Sequence, residues 1–442
     1  MAETYDLIIK DGMVVNQDGK SITDIGVKDG KITNLGDLSA EQAEKTIAAK
    51  GLAILPGVID SQVHFREPGN EHKEDLETGS RAAVKGGVTA VFEMPNTQPL
   101  TTSAEALADK IKRARHRMFC DFAFYIGGTR ENTNELAELE QLEGCAGIKV
   151  FLGSSTGDLL VDDEASIKNI LKNINRRAAF HSEDEARLIE RMDKRREGDP
   201  SSHPEWRDEI AAMKSTKMLV EAARAAGKRI HVLHISTASE MEYLSKNKDI
   251  ASVEVTPQHL TLASPQAYEK LGTYAQMNPP IRGTHHRDKI WYGVETGVAD
   301  VLGSDHAPHT KEEKQRTYPE SPSGMPGVQT LVPIMLDHVN KGALSIERFV
   351  DLTSHGPNRL FGLATKGRIA VGMDADFTIV DLNETREIRD EWIESRCKWT
   401  PYHGQTVKGW PKGTIIRGQT VCWEDEIIGE AIGEPIRFNE AL

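Results

Sequence analysis

The chain is poor in cysteine, short of positive charge and without a long hydrophobic run, and each shortage excludes something. Its four cysteines, Cys120, Cys145, Cys397 and Cys422, are far apart and form no CxxC pair. That is the usage of a reducing compartment rather than of a disulfide scaffold. Lysine and arginine number 54 against 68 aspartates and glutamates, a formal charge of -14. Such a balance argues against nonspecific nucleic-acid binding, which neutralises phosphates with cations. A local arginine can still hold a small anion against a global negative charge. No apolar stretch approaches the roughly 18 residues of a membrane helix, so no membrane partner is expected. The opening MAETYDLIIKDGMVV has no basic region ahead of an apolar one, so a secretory signal is not expected and the cytoplasm is. No GxGxxG follows the first strand-like run of the middle region, which counts against an open dinucleotide-binding sheet.

What is present suits a large globular enzyme. With 442 residues and 38% hydrophobic content, one large domain plus a smaller one is the leading expectation. Residues 1–52 read as short alternating strands, YDLIIKDGMVV and ITDIGVKDGKITNLG, broken by the turn signals Asp11-Gly12 and Asp29-Gly30. Residues 366–442 return to that texture with GRIAVGMDADFTIVDL and GTIIRGQTVCWEDEIIG. The two ends are expected to pair into one small β-sandwich. Between them, 53–365 alternates apolar strands with helical patterns: LAILPGVID, VTAVFEMP, DFAFYIGG, GIKVFLG, RAAFHSED, RIHVLHIS, ASVEVTP and DVLGSDHAP. About eight βα units in one run imply a parallel sheet closed into a (β/α)₈ barrel.

Such a barrel works at the C-terminal ends of its strands, and unusual polar residues stand there. Strand one ends in Asp60-Ser61-Gln62-Val63-His64, so Gln62 and His64 share a face. Arg66 lies just beyond. Asn96 follows strand two in EMPNT, Lys149 interrupts the apolar GIKVFLG, and His181, His234 and Asp305 end later strands, with His309 four residues on. One histidine at a strand end is more often structural than a ligand. Three histidines and an aspartate at four such ends suit zinc or a similar divalent ion. A buried Lys149 ammonium would be costly and would repel cations. Carrying CO₂ as a carbamate would remove both objections, whereas an ion pair with Asp or Glu is the plainer account.

In this order, these residues resemble those of the amidohydrolase superfamily, in its cyclic-amidase branch of dihydroorotases, allantoinases and hydantoinases. AILPGVID resembles the family's lead-in to strand one, and GRIAVGMDADFTIVDL its return to the small sandwich. The resemblance spans nearly the whole chain and implies an α/β fold, a distorted (β/α)₈ barrel with a sandwich from both termini. It further implies that His64, carboxylated Lys149, His181, His234 and Asp305 hold one or two Zn²⁺. His64 and Asp305 would serve one ion, His181 and His234 the other, and Lys149 would bridge them. Gln62 stands where the commoner motif carries a histidine, and would be a weakened ligand of the first ion. Asp305 would also act as base and then acid.

Three stretches resemble the dihydroorotase form. HFREPG carries Arg66, a fork suited to a substrate carboxylate; EMPNT supplies Asn96; and QMNPPIR supplies Asn278. DHAPH adds His309, and SPSGMPG offers backbone groups of Ser323 and Gly324 to the substrate. The expected substrate is a small molecule, dihydroorotate or N-carbamoyl-L-aspartate. An uncharged ring, as in allantoinases and hydantoinases, is the competing expectation, and leaves Arg66 nothing to bind. Gln62 also motivates a non-catalytic reading, a subunit scaffolding aspartate transcarbamoylase. The resemblance brings an expectation of homo-oligomers, most simply dimers.

Overall fold

The computed structural model describes residues 4–154 and 159–439. Eight strands form one parallel sheet in sequence order: β6 (Val58–Val63), β7 (Val88–Glu93), β8 (Asp121–Gly127), β9 (Cys145–Phe151), β10 (Ala178–His181), β11 (Ile230–Val232), β12 (Ala251–Val255) and β13 (Val301–Leu302). Each corresponds to one of the eight strand-like runs in the sequence. β13 is the shortest, and the sheet nearly closes beyond it. The His64 amide donates to His306 O at 2.7 Å, and Asp60 Oδ1 on β6 accepts from the Ser304 amide at 2.9 Å.

The helices between strands start where the sequence offers caps. Asp75 accepts from the Thr78 amide to open Leu76–Lys85, and Ser103 accepts from Ala106 to open Ala104–Ala114. Their apolar faces bury the outer side of the sheet, where Val58, Val91, Phe122, Phe124, Val150 and Phe180 lie in one large core. Inward residues such as Ile59, Ala90, Phe92, Ala123 and Tyr125 form a separate core. Period-two alternation thus divides each strand between the two layers. Phe361, Leu363, Ile436 and Phe438 join that inner core and plug the barrel at the N-terminal ends of its strands. Phe92 meets Phe361 edge-on at 5.2 Å and Phe438 at 5.8 Å.

Both ends of the chain build a second, nine-stranded mixed sheet. It comprises β1 (Tyr5–Asn16), β2 (Gly19–Lys28), β3 (Lys31–Gly36), β4 (Ala43–Ala48), β5 (Ala53–Pro56), β14 (Phe377–Glu387), β15 (Thr406–Ile416), β16 (Gln419–Trp423) and β17 (Glu426–Ile427). β5, from the run that leads into the barrel, pairs with β1 and β14 and so joins the two ends. The sheet surrounds its own core of Ile9, Val27, Ile47, Ile54, Phe377 and Ile415.

Asp29-Gly30 is the expected two-residue turn, with φ of 50° and 73°. Asp11-Gly12 is not a turn. β1 runs through it with a register shift between Ile9 and Gly12, because Asp11 bulges at φ 60° and its amide donates to Asp24 Oδ1 at 2.9 Å. A Cβ on Gly12 would lie 2.3 Å from Ile54 Cδ1, which is why the bulge needs glycine there. No helix among the described residues is long and apolar enough to cross a membrane.

Barrel and sheet are joined by buried charge. Lys366 Nζ reaches Asp121 Oδ2 at 2.6 Å and Asp376 Oδ2 at 2.5 Å, with Asp374 Oδ2 at 3.4 Å. Arg417 adds a second cation on Asp121. Removing Lys366 leaves carboxylates buried without their main counter-ion. Lys366→Met is expected to cost about 3–5 kcal/mol, read as a lower urea midpoint; a loss under about 1 kcal/mol would show that the cluster is not structural.

Candidate active site

Gln62 and His64 stand at the end of β6, Lys149 lies in β9, His181 closes β10, and His234 and Asp305 follow β11 and β13. All six are buried. Register sets their depth: Lys149 pairs with Ala179 and Phe151 with His181, so Lys149 lies a layer below His181. A small cavity of about 20 Å³ is lined by Gln62, His64, His181, His234 and Asp305, with Phe151, Asn278, Ala307, Ser323 and Gly324 completing it. That volume is about one water-sized sphere.

Two of these residues, and Arg66 beside them, hold a costly backbone. Arg66, His234 and Asp305 have φ of 64°, 37° and 45°, left-handed conformations that cost on the order of 1–3 kcal/mol each outside glycine. The strain turns their side chains out of the strand repeat and over the end of the barrel.

Hydrogen bonds fix which imidazole nitrogen faces the cavity. Asn96 Oδ1 lies 2.8 Å from His64 Nδ1; as an acceptor it holds the proton there and leaves the Nε2 lone pair toward Asp305 Oδ1, 3.2 Å away. Gln62 Nε2 donates to the same Asp305 oxygen at 3.0 Å. Glu183 Oε2 lies 3.0 Å from His181 Nε2 and holds that proton. The His181 Nδ1 lone pair therefore faces His234 Nε2 at 3.1 Å. Burial would raise Glu183, but the Arg207 guanidinium and His181 hold its carboxyl well below the usual carboxylate range. Burial also lowers His64 and His181, and lowers His234 furthest, so all three are neutral at pH 7.

Lys149 is the anomaly. Its Nζ is buried without a hydrogen-bond partner, 4.3 Å from the centre of the Phe151 ring. Burial pulls its pKa down to about 7, against the pull of Asp305 and Glu254. Gln62 Oε1 and His234 Nδ1 are likewise buried and unpartnered. Among the described residues no three His, Cys, Asp or Glu side chains converge on one point. The candidate donor atoms lie instead as two pairs, His64 with Asp305 and His181 with His234. Within each pair they face each other, an arrangement suited to cations between them.

The other candidates lie around this centre. Asn278 lines the cavity, and its Oδ1 meets His203 Nε2 at 3.0 Å. Arg66, Asn96 and His309 do not line it. Arg66 is buried behind, with Nε donating to Pro308 O at 3.2 Å and one terminal nitrogen 3.4 Å from His309 Nε2. Burial lowers Arg66 to about 10. His309 is pushed well below its ordinary value, first by burial and also by the charges of Arg66, Lys73 and Lys314; it is a neutral imidazole.

Ser323 and Gly324 line the cavity, as expected of a stretch that borders the site, and part of their backbone is already engaged. The Gly324 amide donates to Gln276 O at 2.8 Å, Gly324 O accepts from Lys314 Nζ at 3.1 Å, and Ser323 O lies 3.1 Å from His309 Nε2. At φ 140°, a Cβ on Gly324 would sit 2.5 Å from Ala307 O. Glycine is there for space. Sequence reading missed Glu183, Arg207 and His203. Glu183 had a signal, standing two residues after His181 on the same face; Arg207 and His203 had none.

Residues 53–421 match the model of the amidohydrolase family. The chain belongs to that family. A dihydroorotase of Methanosarcina mazei is 35% identical over 438 residues, covering 96% of this chain and 95% of its own. One from Halobacterium salinarum is 36% identical over 442 residues, covering 98% and 99%. An allantoinase of Salmonella choleraesuis is 32% identical over 437 residues, covering 95% of each. The solved structure of L-hydantoinase from Arthrobacter aurescens superposes with a TM-score of 0.94 at 30% identity, covering 98% of this chain and 100% of that one. This amidohydrolase thus has the barrel and terminal sheet of its structural relatives.

In this amidohydrolase the His181 tautomer rests on a buried ion pair. Arg207 Nε donates to Glu183 Oε2 at 3.1 Å, and its terminal nitrogen contacts the same oxygen. Glu183→Gln strands the arginine and is expected to cost about 3–5 kcal/mol in urea unfolding, most of it recovered in Glu183→Gln/Arg207→Met. Equal losses in both variants would refute the pairing as the cause.

Proposed function

We propose that this protein is a dihydroorotase, interconverting (S)-dihydroorotate and N-carbamoyl-L-aspartate in pyrimidine biosynthesis. The observation that carries the reading is Arg66. A guanidinium buried beside the centre, with neutral His309 as neighbour, is costly until an anion meets it. Dihydroorotate brings a carboxylate; allantoin and hydantoin bring none. The dihydroorotases among its relatives point the same way. Similarity to L-hydantoinase favours the second reading, an allantoinase or hydantoinase acting on an uncharged ring. The protein would work in the cytoplasm, as a homo-oligomer such as a dimer.

His64, His181, His234 and Asp305, with Gln62 as a weaker donor, would hold one or two Zn²⁺. A Lys149 amine with pKa near 7 keeps a substantial neutral fraction at physiological pH. Its nitrogen would add to the carbon of CO₂ and lose a proton, and the resulting carbamate would supply anionic oxygen donors to the metal. When bound, the metal supplies Lewis acidity, lowering the pKa of a nucleophilic water and polarising the amide carbonyl. Asp305 takes a proton from the attacking water and returns it to the leaving ring nitrogen as the C–N bond breaks. Arg66 and His309 orient the carboxylate, Asn96 holds the His64 tautomer, and Asn278 borders the ring.

Ring opening should be seen with dihydroorotate and be weak or absent with allantoin and hydantoin; activity on allantoin alone would reject the assignment. Arg66→Ala is expected to remove about 2–4 kcal/mol of transition-state stabilisation. An unchanged kcat/KM for dihydroorotate would remove its carboxylate role.

Metal content tests the centre separately. Purified protein is expected to carry one or two equivalents of zinc, to lose activity on chelation and regain it on zinc addition. Less than about a tenth of an equivalent with no turnover after zinc addition would favour the scaffold of aspartate transcarbamoylase. Gln62→His is expected to hold its zinc more tightly, because imidazole is the stronger donor.

A further inference from the structure

Lys73 stands on the loop that follows β6, two residues ahead of the Asp75 cap, and the chemistry above does not use it. The side chain is half-buried. Its Nζ reaches Glu313 Oε1 at 3.1 Å and His309 Nδ1 at 3.2 Å. Glu313 is held in turn: it closes the capping box of the helix Lys311–Lys314, its Oε2 accepting from the Thr310 amide at 3.1 Å. The lysine is thereby fixed against one nitrogen of a histidine whose other nitrogen faces Arg66.

An ammonium has donors and no lone pair, so the Nδ1 beside it is the acceptor. The opposite nitrogen gives the same answer. Nε2 lies 3.1 Å from Ser323 O, and a carbonyl can only accept. Neutral His309 therefore carries its proton on Nε2. The competing tautomer has partners of its own. Nδ1 would donate to Glu313 Oε2, 3.7 Å away, and Nε2 would accept from the Arg66 terminal nitrogen at 3.4 Å. Lys73 decides between the two, because its contact is the shorter and 3.7 Å is beyond a hydrogen bond.

We propose that Lys73 is a positioning residue that holds the His309 proton on Nε2 and so keeps Arg66 from donating to His309. The consequence lies at Arg66. Its Nε is taken by Pro308 O, and a protonated Nε2 offers its terminal nitrogen no lone pair. That nitrogen is left to meet an anion, the substrate carboxylate on the dihydroorotase reading, on which this inference rests for its ligand. With the other tautomer, a carboxylate would first have to break a hydrogen bond between Arg66 and His309.

The test pairs a spectroscopic with a kinetic readout on the zinc-loaded full chain. In 15N-histidine-labelled protein at pH 8, His309 is identified by the resonances that vanish in His309→Gln. Its Nε2 is expected to be protonated and its Nδ1 bare in wild type and in Lys73→Arg, and the reverse in Lys73→Met. Lys73→Met should raise KM for dihydroorotate at least tenfold with kcat within threefold of wild type, the mark of lost uniform binding. Lys73→Arg should keep KM within threefold. In an Arg66→Ala background, Lys73→Met should add less than twofold. A bare Nε2 in wild type would overturn the proposal without recourse to any Lys73 variant. So would the wild-type tautomer retained in Lys73→Met, or the full tenfold loss persisting without Arg66. If wild type fails to open dihydroorotate, the reading of the substrate fails, and the tautomers in wild type and Lys73→Met still decide the role of Lys73.

Discussion

The active centre depends on how the barrel closes. A parallel barrel must bring its first and last strands together, and here the last strand, β13, is two residues long. Asp60 makes up for this by accepting from the amides of both Ser304, at 2.9 Å, and Gln62, at 3.2 Å. One carboxylate thereby sets β6 against the segment that carries Asp305. The cost is visible: burial pushes Asp60 up to about 7. Once that seam is set, Gln62 Nε2 and His64 Nε2 both fall within 3.2 Å of Asp305 Oδ1. Half of the proposed metal centre is thus a consequence of barrel closure.

The other half depends on desolvation. Glu183 and Arg207 neutralise each other behind His181 and fix its tautomer, while nothing comparable stands beside Lys149. Phe151 covers the amine but offers no acceptor. Surroundings that disfavour an ammonium favour the neutral amine, so the cost of burial would prepare the lysine for the proposed reaction with CO₂. The left-handed backbones of His234 and Asp305 belong to the same design: strain is placed where side chains must leave the strand repeat and converge.

Much of this was legible in the sequence, because a parallel barrel states its strands as short apolar runs and its site as polar interruptions at their ends. Lys149 within GIKVFLG and His181 at the end of AAFH could be placed by period-two alternation alone. What could not be placed came from sequence-distant partners. Arg207 reaches Glu183 from 24 residues away, and His203 reaches Asn278 from 75; no local pattern marks either. Asp11-Gly12 misled for a related reason. Its dipeptide signals a turn, but a tertiary hydrogen bond from the Asp11 amide to Asp24 and close contact with Ile54 convert it into a bulge. The nearness of Ala307 O, which selects glycine at Gly324, likewise has no local signal.

Charge is also divided by depth. Around the centre, burial drives three histidines to neutrality and a lysine toward it, while Arg66 is pressed close behind and Arg207 is already paired with Glu183. A carboxylate ligand would then meet one strong, directed partner rather than a diffuse positive field, and orientation follows from geometry more than from net charge.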